Sequence, residues 1–306
     1  KKTNPKTGKK VVFANGKFIE DGDKLPAPFP TKYKMHKDYT SDNGLAIVIL
    51  EEKKKKVSNL FCEVEGIDIR YQNTIKNMNL NIPKAIKAEI ENWKEKQLTI
   101  NVLRKRISRI LGTLKDRKIK KGKKVDRIYH SFTNLSRVAR EHLNKKFYSL
   151  DIVNCQPLML VAYLKQNNMG VDLSYQKDCE IGKFYENFYV LNNLKIVDDK
   201  RSKVKSSIYQ NIFFGFYKKS RYNKKFKKLY PKTWDSLYAI SITKISLASR
   251  LQNMEASLFN NLKPKYSKYF YTLFDAIYYT NVADKKQLTK EIKDFFGGLN
   301  IKVQIK

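Results

Sequence analysis

Apolar positions recur along this chain at two different periods, and the pattern changes character near Arg127. Residues 1 to 45 are rich in Lys, Pro, Gly and Asp and show little periodicity, so they read as an extended arm. Within it, VVFANGKFI places apolar residues on both sides of Asn15-Gly16, a strong two-residue hairpin signal. LAIVIL at 45 to 50 reads as a buried strand or short helix, and EEKKKK after it as solvated surface. Residues 83 to 119 are helical in pattern. Pro83 stands near a start, and Ile86, Ile90, Trp93, then Leu103, Ile107, Ile110, Leu111 and Leu114 recur at three and four. KDRKIKKGKKVDR then breaks the pattern as a basic loop.

From Arg127 onward the pattern is mixed α and β. A turn-rich segment, RIYHSFTNLSRVAREHL, leads to an apolar strand ending in Asp151. Helical stretches are predicted over about 157–167, 178–191 and 199–213, the last preceded by Asp198 and Asp199 as capping acids. A Lys-rich excursion, KKSRYNKKFKKLYPK, precedes a helical pair over about 233–262. YSKYFYTLFDAIYYTNV reads as two strands meeting near Asp275, followed by a helix over about 284–296 and a last strand, LNIKVQIK. The fold class predicted is α+β.

Two acids stand out because each interrupts an apolar, strand-like run. Asp151 sits in KKFYSLDIVNCQPLMLVAYL and Asp275 in TLFDAIYYT. Each alone has a simpler account, Asp151 as a cap and Asp275 as a hairpin-turn residue. Together, two acids far apart in sequence are what a pair of hard divalent ions needs, since Mg²⁺ takes carboxylate oxygens. A third pattern lies in DDKRSKVKSSIYQNIFFG, where Arg201, Lys205, Tyr209 and Phe213 are spaced by four. Four helical residues advance by about 400°, so all four share one face. Cations grip phosphate oxygens and aromatic planes stack on bases, so this face suits a nucleoside triphosphate. The alternative is a basic amphipathic helix with a core-facing aromatic side.

Charge strengthens the phosphate reading. The 306 residues carry 63 Lys and Arg against 29 Asp and Glu, a net charge of +34, which favours a polyanionic partner. With 42% hydrophobic residues the chain is expected to fold rather than to be a disordered polycation. No apolar run is long enough to span a bilayer and no secretory signal is read at the start, so no membrane partner is expected. Cys62, Cys155 and Cys179 lack metal-like spacing and, with scattered His36, His130 and His142, point to a reducing compartment such as the cytoplasm.

The order of these patterns resembles the polymerase half of family A DNA polymerases and, more distantly, the single-subunit phage-type RNA polymerases. The likeness covers about residues 126 to 306. Asp151 in LDIVNCQPL stands at the family's first acidic motif, and Arg201, Lys205, Tyr209 and Phe213 stand on its nucleotide-binding helix, with Gly215 one place late. Gln252 in RLQNMEASLFNNL stands on a Gln-bearing helix, and Phe274-Asp275 stands where the family has His-Asp. RIYHSFTNL is similar to a segment that touches primer and template, with Arg127 as the contact.

The resemblance implies a right-hand polymerase with an antiparallel-sheet palm, helical fingers and a helical thumb-like region. Its parts would be an arm at 1–56, a thumb-like region at 57–125, palm at 126–160, fingers at 161–258 and palm again at 259–306. It implies a template-directed nucleotidyltransferase, a DNA polymerase, in which Asp151 and Asp275 hold two Mg²⁺ ions. Arg201 and Lys205 would bind the triphosphate, Lys205 being also the candidate proton donor to pyrophosphate. Tyr209 would stack on the base, Gln156 and Phe213 would face the sugar, and Arg127 and Gln252 would contact nucleic acid. Its partners would be template-primer, nucleoside triphosphates and accessory replication proteins. The departures are the missing His, Ala276 where a second acid is frequent, and Gln156 where DNA-making members have Glu. Gln keeps bulk and loses charge, so an RNA-making enzyme of the same fold stays open, as does a non-catalytic nucleic-acid-binding protein.

Overall fold

The computed structural model describes residues 2–3, 10–14, 17–20 and 64–306, except 116–117, 192–196 and 244–245. LAIVIL, EEKKKK and Cys62 fall outside the described residues. The chain forms two units, Lys1–Asn59 and Leu60–Lys306. In the first, β1 (Lys2–Thr3), β2 (Lys10–Ala14) and β3 (Lys17–Glu20) make an antiparallel sheet in that order. The β2–β3 register closes on Ala14 opposite Lys17, as the Asn-Gly pair predicts, although residues 15 and 16 are themselves not described.

The second unit is mixed α and β with small antiparallel sheets. It opens with α1 (Ile69–Asn77), α2 (Ile82–Glu95) and α3 (Ile100–Lys115). The predicted helical stretch at 83–119 is thus two helices, parted where Gln97 takes a left-handed φ of 47°. Asn81 caps α2 by accepting from Lys84 N–H at 3.2 Å. The stretch expected to be a basic loop contains β4 (Ile119–Lys121), which pairs antiparallel with β5 (Ile128–His130). A short α4 (Arg137–Arg140) follows, then β6 (Tyr148–Asp151).

Helix α5 (Cys155–Gln166) is the centre of the core. Nine of its twelve residues are buried, so it is apolar on all sides rather than striped. Truncating one of them, Leu158, to Ala would cost about 2–5 kcal/mol. Helix α6 (Leu173–Glu180) ends where Gly182 adopts φ +76°, and a 3₁₀ turn follows at Glu186–Leu191. One continuous helix over 178–191 is therefore not formed. Helix α7 (Val197–Ile208) starts two residues before the expected 199, so that Asp198 and Asp199 fall in its first turn rather than ahead of it. It runs into a π turn at Tyr209–Phe213. The Lys-rich excursion is itself a helix, α8 (Arg221–Leu229), capped by Ser220 accepting from Asn223 N–H at 3.1 Å. The expected helical pair is α9 (Pro231–Ser241) and α10 (Leu247–Asn261).

Strands β7 (Phe270–Leu273) and β8 (Ala276–Tyr279) form a hairpin, and β6 adds to β8 in the order β6-β8-β7. The outer edge of β7 is covered by α1, where Thr74 Oγ1 accepts from Phe270 N–H at 3.0 Å. His130 Nε2 lies 3.3 Å from the Thr272 carbonyl, and burial lowers this ring's pKa to about 4, so it is a neutral core group. Helix α11 (Asp284–Gly297) closes the unit. LNIKVQIK does not form a regular strand. It makes one bridge, Ile152 to Ile305, with Val153 N–H to Gln304 O at 3.0 Å and a reciprocal pair between Asp151 and Lys306.

Candidate active site

The sheet register brings the two predicted acids together. Asp151 pairs with Ala276, and Ile152 N–H reaches the Asp275 carbonyl at 3.4 Å. Neighbouring positions on paired strands hold their Cα atoms within about 7 Å of each other. Asp275 sits in the two-residue turn of the β7–β8 hairpin beside Phe274, which takes a φ of 56°. A bulky side chain in that region is a strained choice, costing roughly 1–2 kcal/mol. Asn154, three residues after Asp151, has the same φ of 56°. A residue with positive φ thus stands next to Asp275 and another three places after Asp151.

The acids feel one another. Burial, and then the neighbouring Asp275, push the Asp151 carboxyl up to about 6, against the opposing pull of Lys205 and Lys306. Two carboxylates with solvent access fit Mg²⁺, which binds through one or two protein carboxylates and keeps waters or phosphate oxygens for the rest. Among the described residues no group of three or more His, Cys, Asp and Glu could hold a metal on its own.

The α7 face turns toward these acids. Lys205 is exposed, its charge acts on Asp151, and its Nζ stands 5.5 Å above the Tyr209 ring. Tyr209 is half-buried with its hydroxyl 3.3 Å from that of Tyr185. Burial raises its phenol, with Asp275 and Glu255 adding to the shift. The π turn departs from the plain α-helical spacing expected of this stretch. Phe214 N–H donates to the Tyr209 carbonyl five residues back, at 2.7 Å. Such turns are rare and concentrate at functional sites. Gly215 follows it because a Cβ there would stand 2.8 Å from the Gln210 carbonyl oxygen. Phe213 is 1% exposed and stacks on Phe184 at 6.1 Å, so it supports Tyr209 from behind and shows no surface of its own.

Three expected contacts are occupied by protein partners. Arg201 pairs with Glu186, donates to Asn154 Oδ1 at 3.0 Å, and lies over Tyr185 at 5.2 Å. Arg127 pairs with Glu255 at 2.5 Å and lies over Phe274 at 5.1 Å. Gln156 is buried, and its amide donates to the other oxygen of Glu255. Gln252 is half-buried on α10, one turn before Glu255. Cys155 and Cys179 are free thiols, both pushed well up by burial and hence unreactive.

Glu255 is the site residue that the sequence reading passed over. Burial raises it to about 7, the Arg127 guanidinium opposes the shift, and Asp275 adds to it. Its signal was present: in the core-facing row Leu251, Glu255, Leu258, Phe259 of α10, one position is an acid. On the other side of Asp151, a cleft of about 710 Å³ is lined by Arg137, Arg140, Lys145, Lys146, Tyr271 and Tyr278 among others. Its floor is the sheet face that Ser149 and Asp151 share with Tyr278 and Tyr271.

No protein-family model matches the chain, and no curated protein matches it significantly. Among the described residues no helix is long and apolar enough to cross a membrane.

Proposed function

We propose that this chain is a template-directed nucleotidyltransferase, a DNA polymerase that extends a primer by phosphoryl transfer. The observation that carries the reading is the meeting of Asp151, at the end of β6, with Asp275, in the turn beside its pairing partner Ala276, where the Lys205 charge acts on Asp151 and Asp275 acts on the Tyr209 phenol. Pure binding of a polyanion gains nothing from a carboxylate pair, which repels phosphate. Phosphoryl transfer gains from it. Mg²⁺ held by the two aspartates would activate the primer hydroxyl and neutralise charge on the leaving pyrophosphate.

In this reading β6-β8-β7 is the palm, α7 to α9 belong to the fingers, and α2–α3 are thumb-like. Lys205 takes triphosphate oxygens and is the group placed to return a proton to pyrophosphate. Arg201 exchanges Glu186 for phosphate when the triphosphate arrives. Tyr209 presents its ring to the base, and the Glu255-held Gln156 lines the sugar side. The test is primer extension with Mg²⁺ on DNA and RNA templates, offering deoxy- and ribonucleotides in turn. Extension that disappears in both Asp151→Asn and Asp275→Asn supports the reading. Extension retained by either variant, or no extension of any primer, overturns it.

A further inference from the structure

We propose that the outer face of α8–α9 is a docking surface for single-stranded nucleic acid. The inference deepens the polymerase reading and rests on it for the choice of partner.

Three rings form a ladder there. Trp234 and Tyr238, one turn apart on α9, stack with planes 16° apart and centroids 5.5 Å apart. Phe216 stands 5.7 Å from Trp234 and 6.3 Å from Tyr238. Tyr238 is the open end, 36% exposed. Tyr238 and the buried Trp234 each carry a cation on a face: Lys218 Nζ is 3.5 Å from the Tyr238 centroid and Lys227 Nζ is 4.2 Å from that of Trp234. Residues 218–232 hold eight Lys and Arg and no acid. Burying Tyr222 and Phe226 turns most of the α8 cations to solvent.

A single strand supplies the two things this face can use, a flat π surface and an anion, alternately along its length. Stacking of a base on the Tyr238 ring exceeds the exposed cation–π contact that it displaces. The displaced ammonium then has a backbone phosphate to accept it, so its charge stays paired. A duplex hides its base faces, and an acidic peptide brings anions without rings. A lipid surface would draw on protruding apolar side chains rather than on rings already capped by ammonium groups.

The test is fluorescence anisotropy of a labelled oligothymidylate with the full chain, titrated in salt between about 50 and 200 mM. Tyr238→Ala is expected to weaken binding about tenfold and Tyr238→Phe to preserve it. The Lys218→Gln/Lys227→Gln pair is expected to flatten the log–log salt slope by about 1.4, the loss of two single-strand phosphate contacts. Melting curves verify that each variant is folded; should Tyr238→Ala fail to fold, the lysine pair's slope decides. Unchanged affinity in Tyr238→Ala with an unchanged slope in the lysine pair overturns the proposal. So does equal competition by polyglutamate or by phosphatidylserine vesicles. Intact ring-dependent binding without primer extension would sink the polymerase reading alone. Active extension with ring-independent binding would sink this inference alone.

Discussion

Replacing Asp151 by Asn is expected to abolish nucleotide transfer and, at the same time, to stabilise the fold. The carboxyl is raised from 3.8 to about 6, chiefly by burial and next by Asp275. A raised carboxyl penalises the folded state only when ionised. The cost is absent below about pH 4, grows between 4 and 6, and is complete above 6. Two units correspond to about 3 kcal/mol, but Asp151 is exposed enough for solvent to screen it, so about 1–2 kcal/mol is the reasonable size. The variant should therefore melt a few degrees higher than wild type at pH 8 and at the same temperature at pH 4. Mg²⁺ should raise the melting point of the wild type and leave that of Asp151→Asn nearly unmoved. Extension should be lost, because the metal that activates the hydroxyl would lose a ligand. A variant that melts lower than wild type at pH 8, or responds to Mg²⁺ as the wild type does, would refute the argument.

Glu255→Ala should cost about 3–5 kcal/mol in urea unfolding, because it strands the Arg127 guanidinium and the Gln156 amide in the interior. Lys205→Met should shift the acidic limb of the pH–rate profile upward, since Lys205 holds the Asp151 carboxyl down; a lowered rate with an unshifted limb would place that charge elsewhere. Gly215→Ala forces a Cβ to 2.8 Å from the Gln210 carbonyl, and should cost about 1–3 kcal/mol and weaken triphosphate binding measured by fluorescence quenching.

What could be read from the residues depended on how local the determining contact was. Ala14 opposite Lys17 was legible because a two-residue Asn-Gly turn fixes its own register. Asp151 and Asp275 drew notice because each breaks an apolar run, where burial of a charge is costly, and the sheet register brings them close. Helix α8 was hidden because its core-facing residues, Tyr222, Asn223 and Phe226, are few among cations that read as loop. The alternation of LNIKVQIK suggested a strand, yet only its last residues pair with another strand, at the outer edge of β6, while Leu299, Asn300 and Lys302 bond to side chains of α5 and α6. The π turn left no trace in a four-residue spacing that suits an α-helix equally well. The pairs Glu186–Arg201 and Arg127–Glu255 join a 3₁₀ turn to α7 and a loop residue to α10; tertiary packing decides their proximity, and no spacing rule reaches them.

The reciprocal hydrogen bonds between Asp151 and Lys306, at 3.1 and 2.9 Å, close the outer edge of β6 at the acid itself. Both main-chain groups of Asp151 are thereby engaged, so no further strand can add to the sheet at that point. The backbone under the carboxylate is held from two sides while the carboxylate itself stays open to solvent.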